Sequence, residues 1–239
     1  MSKAARAARL AVSAPCSLTP HLRSTGSRAA RRPFKKELLD PQLVKMFGEG
    51  PYYGWYGVEN NADVESGSKA FIEALKDPSV TFVYSEIEEA LDRLEAHIEE
   101  NGPYDALCGF SQGTIMITML TARRLQRAAR GEAAPPSWRC NVLIAPMPPR
   151  AGDYACIMPL PETPPLGGFP CVACMGEQDM YFEYAKRIDK LYGPQLVWME
   201  HPGGHETPKD AGINRELSEA IWRALGWTQG GVPEPPERL

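Results

Sequence analysis

Apolar residues recur along this chain with two spacings. At Ile87, Leu91, Leu94 and Ile98 they return every three or four residues, the spacing of one helix face. Ser85-Glu-Ile-Glu88 reads as a capping box that opens this helix, and Asn101-Gly102-Pro103 closes it. Helical patterns also cover Thr114–Ala129, Tyr181–Tyr192 and Ile213–Leu225. Between them lie short apolar runs of buried-strand length: Tyr104–Cys108, Asn141–Ala145, Val172–Met175 and Leu196–Glu200. Short apolar strands alternating with helices predict an α/β fold, a parallel sheet covered on both faces. No internal repeat is visible.

Proline breaks this rhythm in two places. Pro146–Pro170 is too rich in proline for regular structure and reads as a long loop over one face. Residues 229–239 are polar and proline-rich and read as a disordered tail. No run approaches the roughly 18 apolar residues that a membrane-spanning helix needs.

Charge divides the chain at its beginning. Residues 1–36 hold nine basic side chains and no acid, whereas residues 37–239 hold 17 basic and 30 acidic side chains, a net charge of −13. An acidic body of this kind excludes a nucleic-acid backbone binder, whose affinity rests on Lys and Arg. The Arg- and Ser-rich opening lacks the apolar core of a secretory signal. It reads as a basic leader outside the folded domain: a transit peptide, a disordered tail, or a gene model begun in the wrong place. The domain is accordingly expected at 37–228. The expected location is intracellular, in the cytoplasm or, if the leader is a transit peptide, in a mitochondrion or plastid.

Without a secretory signal the six cysteines are expected as thiols. Cys171-Val-Ala-Cys174 has redox or zinc spacing, but it sits in a strand-like run, where positions three apart face opposite sides of the sheet. These residues read as small buried hydrophobes. No metal or cofactor is expected.

The candidate chemistry starts at Gly109-Phe-Ser111-Gln-Gly113, a G-x-S-x-G pattern with a strand before it and a helix after it. That context makes Ser111 a candidate nucleophile, presented at the positive end of the following helix. A serine hydroxyl needs a base, and an acid to hold the base. Of the four histidines, His21 lies in the leader and His97 lies mid-helix, upstream of the serine. His205 follows two glycines, in a loop able to bend toward Ser111, and is preferred over His201, which suits a structural role beside its strand. For the acid, Asp179 follows the strand Val172–Met175. Glu177 and Asp189 are its rivals, and a helix N-cap is its alternative role.

These motifs resemble the FSH family of serine hydrolases. The residues that carry the resemblance are Asn101-Gly-Pro-Tyr-Asp with Gly109–Gly113, and Glu200-His-Pro-Gly-Gly-His205-Glu-Thr-Pro208. The Gly176–Asp179 turn stands where that family has its acid. The resemblance spans roughly Tyr53 to Leu225. It implies an α/β-hydrolase fold and a Ser111–Asp179–His205 triad that cleaves carboxylic esters or thioesters. It also implies an oxyanion contact from the Gln112 N–H.

The family normally opens with an apolar strand and a turn that supplies a second oxyanion donor, and no such strand is apparent here. A sheet truncated at its N-terminal strands is therefore expected, with hydrolysis weakened about 10²–10³-fold by the missing donor. The alternative is an impaired hydrolase scaffold that binds a small ligand or a protein. Acyl transfer would use the same triad. The side chains Met147, Tyr154, Ile157, Met158 and Phe169 are candidates to line an acyl pocket. Tyr52, Tyr53, Trp55 and Tyr56 border the cleft or pack in the core.

Overall fold

A computed structural model describes residues 10–12, 32–33, 53–65, 68–150 and 166–227. Five strands form one all-parallel sheet: β1 (Leu10–Val12), β6 (Ala106–Phe110), β7 (Cys140–Ile144), β8 (Cys171–Gly176) and β9 (Leu196–His201), side by side in that order. Two short antiparallel pairs lie apart from it: β2 (Arg32–Pro33) with β3 (Tyr53–Gly54), and β4 (Gly57–Asn60) with β5 (Phe82–Ser85).

The expected parallel sheet is present, and the helices cover it as the alternation of side chains requires. One face carries Leu107, Leu143, Cys171, Ala173 and Met175. α3 (Gln112–Ala129) packs against it on β6 and β7 and α4 (Phe182–Ala185) on β8, and α1 (Lys69–Lys76), α2 (Ile87–Asn101) and α5 (Asp189–Tyr192) join the same buried cluster, α2 through α3. The other face carries Cys108, Cys140, Val142, Val172 and Cys174, against α6 (Ala211–Ala224) through Leu217 and Ala220. Cys171 and Cys174 thus end on opposite faces, as a period of two demands. Burial pushes both thiols up, Cys174 to about 11 and Cys171 well above its ordinary value. Among the described residues no cluster of His, Cys, Asp or Glu is arranged to hold a metal ion.

Buried polar groups tie the layers together. Asn141 Nδ2 donates to Thr121 Oγ1 and to the Tyr192 hydroxyl, both at 2.9 Å, and Asn141 Oδ1 accepts from Trp138 Nε1 at 3.1 Å. Between α2 and α3, the largely buried Glu95 sits within ion-pair distance of Arg123 and Arg124, both at 2.6 Å.

Three expectations are corrected. Leu10–Val12 is not part of a leader outside the domain: it pairs with Ala106–Cys108 in parallel register. The sheet therefore has an opening strand, and a domain boundary at residue 37 would cut it off. Three apolar residues among Arg, Ser and Ala carry little signal of their own, and the neighbouring strand supplies the ladder. Ser85 does not cap α2. It is the last residue of β5, paired with Gly57, and the residue before the helix is Glu86, in the left-handed region at φ 64° with no side-chain cap. Tyr181–Tyr192 is not one helix but α4, a 3₁₀ turn over Lys186–Ile188, and α5. The tail 229–239 and the loop residues 151–165 lie outside the described residues.

Candidate active site

The site begins at the turn from β6 into α3. Ser111 occupies that turn with φ 50° and ψ −118°, a backbone conformation costly for any residue with a side chain. The surroundings hold it there. Its N–H donates to the Ile144 carbonyl at 3.0 Å, and its own carbonyl accepts from the Thr114 N–H at 2.9 Å and from Thr114 Oγ1 at 2.6 Å. Thr114 Oγ1 in turn accepts from the Met147 N–H at 2.8 Å, so one buried hydroxyl ties the turn to the loop after β7. Gly109 is required for close approach: a Cβ there would lie 2.6 Å from the Gly113 carbonyl oxygen.

Two further loops, after β8 and β9, meet at this turn. They are joined to each other by backbone and side-chain bonds. Glu177 N–H donates to the His201 carbonyl at 2.8 Å, Gln178 N–H to the Gly203 carbonyl at 3.0 Å, and Gln178 Nε2 to the Pro202 carbonyl at 2.7 Å. Gly176 permits this contact, because a Cβ on it would stand 2.2 Å from the Gly204 oxygen and 2.4 Å from the Gly203 oxygen. The join sets Asp179, on the first loop, beside His205, on the second.

The resulting geometry is a chain of two short hydrogen bonds. His205 Nδ1 lies 2.7 Å from Asp179 Oδ2, and His205 Nε2 lies 2.8 Å from Ser111 Oγ. A carboxylate only accepts, so Nδ1 carries the proton and Nε2 is left to accept from the serine hydroxyl. The Asp179 side chain is fully buried, while the imidazole is 31% exposed. Asp179 Oδ1 also accepts from the Tyr181 N–H at 2.9 Å, a turn bond two residues on, while the N-cap of α4 is Tyr181 and carries no side-chain cap.

The alternatives fall elsewhere. His201 is buried, and its Nδ1 accepts from the Gly203 N–H at 3.2 Å, a structural bond within the turn. His97 sits on α2 beside Asn101 and Tyr104. The Glu177 side chain is exposed, and Asp189 starts α5, also exposed. His21 lies outside the described residues.

Gln112 has a role that sequence reasoning missed. It is the first residue of α3, where the helix leaves its N–H without an intrahelical acceptor. Its side chain reaches the turn between β3 and β4: Oε1 accepts from the Trp55 N–H at 3.1 Å and Nε2 donates to the Tyr56 carbonyl at 3.2 Å. No local pattern signals a contact between residues 56 and 57 positions apart. Tyr56 is buried in the core, Trp55 and Phe169 are half-buried against it, and Met147 is buried. The remaining candidate pocket residues, Tyr154, Ile157 and Met158, lie outside the described residues, as does Tyr52.

Comparison with known proteins places this site in a family. The family model described as serine hydrolase (FSH1) matches residues 7–217, and so includes β1. This chain belongs to the FSH1 serine hydrolase family. Named relatives include Hydrolase phiM of a fungal species, 31% identical over 152 residues that cover 60% of this chain and 71% of the relative. Esterase FPY3 of Fusarium mangiferae is 29% identical, over 50% of this chain and 56% of that protein. Esterase OVCA2 of Homo sapiens is 27% identical, over 66% and 62%. The matches to FPY3 and OVCA2 thus span under two thirds of those proteins' length. Among solved structures, Esterase B from Lactobacillus rhamnosis aligns with TM-score 0.42 and 14% identity, over 59% of this FSH1-family chain and 61% of the esterase. As a member of that family the chain is a serine hydrolase, and it carries its site on a parallel α/β sheet.

Proposed function

We propose that this protein hydrolyses a carboxylic ester or thioester through a Ser111–His205–Asp179 triad and a covalent acyl-enzyme. The observation that carries this reading is the pair of hydrogen bonds that link the three side chains, at 2.8 and 2.7 Å, with the serine on the strained turn. The esterase names of the relatives support the same reaction class.

In this reading, His205 Nε2 takes the Ser111 proton as Oγ attacks the acyl carbonyl carbon. Asp179, held by the Tyr181 N–H, keeps the proton on Nδ1 and stabilises the imidazolium that forms. Charge collects on the former carbonyl oxygen. The Gln112 N–H, at the positive end of α3, donates to it. His205 returns its proton to the departing alcohol or thiol, leaving Ser111 acylated. Water then attacks the acyl carbon as His205 takes its proton, and His205 returns that proton to Ser111 Oγ as the C–Oγ bond breaks and the carboxylic acid leaves. A donor of this kind supplies about 2.7–4 kcal/mol of transition-state stabilisation.

The test is hydrolysis of a p-nitrophenyl ester series and the matching acyl thioesters by the full chain, beside Ser111→Ala and His205→Ala. The expected result is turnover that either substitution lowers by at least 10³-fold. Turnover that survives Ser111→Ala would refute the proposed nucleophile. Absence of turnover on every ester and thioester would favour the binding-scaffold alternative.

A further inference from the structure

Resting on the triad reading above, we infer that Phe110 and Tyr181 form an aromatic cradle that positions the His205 imidazole while its proton is in transit. Two rings lie against it. The Phe110 centroid lies 5.2 Å from that of His205 with the planes tilted by 57°, and the Tyr181 centroid lies 5.5 Å away at 63°. Both are tilted or edge-on arrangements within the range where ring pairs attract. Phe110 is half-buried and Tyr181 is 9% exposed.

The place of each ring in the chain gives the cradle its meaning. Phe110 immediately precedes Ser111, so the backbone that presents the nucleophile also presents one wall. Tyr181 donates its N–H to Asp179 Oδ1, so the residue that orients the acid also presents the other wall. His205 itself comes from a loop without helix or strand, between β9 and α6. Its side chain is held at Nδ1 by Asp179 and at Nε2 by Ser111. When Oγ bonds to the substrate, the hydrogen bond at Nε2 is given up, and the Asp179 contact alone would leave the ring free to tilt. Two rings in contact limit that tilt, so Nε2 stays directed at the leaving group. They also offer π density to the imidazolium, which is worth most in a partly desolvated site. Burial and the neighbouring Asp179 push the Tyr181 phenol up to about 12, so the second wall stays neutral across the working range of an esterase.

A positioning role differs from a filler role in what it changes. Tyr181→Leu retains an apolar side chain but removes the ring; Tyr181→Phe retains the ring and removes only the hydroxyl. On a short p-nitrophenyl ester, Tyr181→Leu is expected to lower kcat about five- to tenfold with KM within twofold of wild type. Tyr181→Phe is expected to restore kcat to near the wild-type level. In proton NMR, the low-field His205 Nδ1–H resonance is expected to be sharp in the wild type and in Tyr181→Phe, and broadened by solvent exchange in Tyr181→Leu. Should Tyr181→Leu fail to fold by circular dichroism, Phe110→Leu gives the same two readings at the other wall. Equal kcat and equally sharp resonances in the Leu and Phe variants would overturn the cradle. If the wild type neither turns over esters nor reacts at Ser111, the triad reading fails. The resonance then still decides the cradle, because it reports the imidazole without turnover.

Discussion

The Gln112 carboxamide clasps the backbone on either side of one peptide link: its oxygen accepts from the Trp55 N–H at 3.1 Å and its nitrogen donates to the Tyr56 carbonyl at 3.2 Å. The residue that follows Ser111 thereby holds the turn between β3 and β4 against the start of α3. Both bonds are partly buried, so removing them leaves a donor and an acceptor with poor access to water. Gln112→Met, nearly isosteric, is expected to lower stability by about 1–3 kcal/mol. Urea unfolding reads this as a lower midpoint at an unchanged slope. An unchanged midpoint would mean that the turn is held by other contacts.

Gly176 controls whether His205 meets Asp179. With a Cβ at this position only 2.2 Å from the Gly204 oxygen, Gly176→Ala must push the β9 loop away from the β8 loop. Strain of this kind costs about 1–3 kcal/mol. Displacing His205 by about an ångström is also expected to cost about 10²-fold in ester hydrolysis. Activity near wild type, in a variant that melts at the wild-type temperature, would show that the two loops do not need this contact.

How much of this site was legible in the sequence depends on the range of each contact. Ser111, Asp179 and His205 sit in turns whose glycines are visible locally, and the turns follow strands that the apolar runs announce. The strand Leu10–Val12 was not legible, because three residues amid Arg and Ser make no pattern until β6 offers its edge. The Ser85 capping box was misleading for a similar reason. The helix starts one residue later than a Ser85 cap requires, with Glu86 before it, and the ladder pairs Ser85 with Gly57, where a Cβ would fall 2.3 Å from Ser85 Oγ. The Gln112 clasp and the two rings on His205 join residues far apart in the chain, and no spacing rule encodes them.

The buried polar cluster between the sheet and α3 carries its own expectation. Asn141→Ala strands the Trp138 Nε1–H and removes one partner from each of Thr121 and Tyr192. The cost expected is about 2–4 kcal/mol, since an unsatisfied buried group costs about 1–3 kcal/mol and a small cavity adds to it. Thermal unfolding followed by circular dichroism measures it. A loss under 0.5 kcal/mol, on the same order-of-magnitude scale, would mean that the cluster relaxes around the gap.

Three of the sheet cysteines, Cys140, Cys171 and Cys174, are expected to be inert in the folded protein. Burial raises the Cys140 thiol to about 12 and the Cys174 thiol to about 11, and raises Cys171 as well. A raised value means less thiolate at a given pH, roughly one part in 10³ or fewer at pH 8. Iodoacetamide at pH 8, followed by peptide mass spectrometry, is expected to leave these three positions unmodified until urea unfolds the chain. Rapid alkylation of any of them in the folded state would contradict their placement in the sheet.

The strained turn and the imidazole together are expected to activate Ser111. A fluorophosphonate probe tests this most directly, because it reports the nucleophile without requiring the right substrate. The full chain and Ser111→Ala are treated side by side and the adduct is read by intact mass. One adduct per chain on the wild type, absent from Ser111→Ala, is the expected result. A folded wild type that stays unlabelled, or equal labelling of both proteins, would contradict the account.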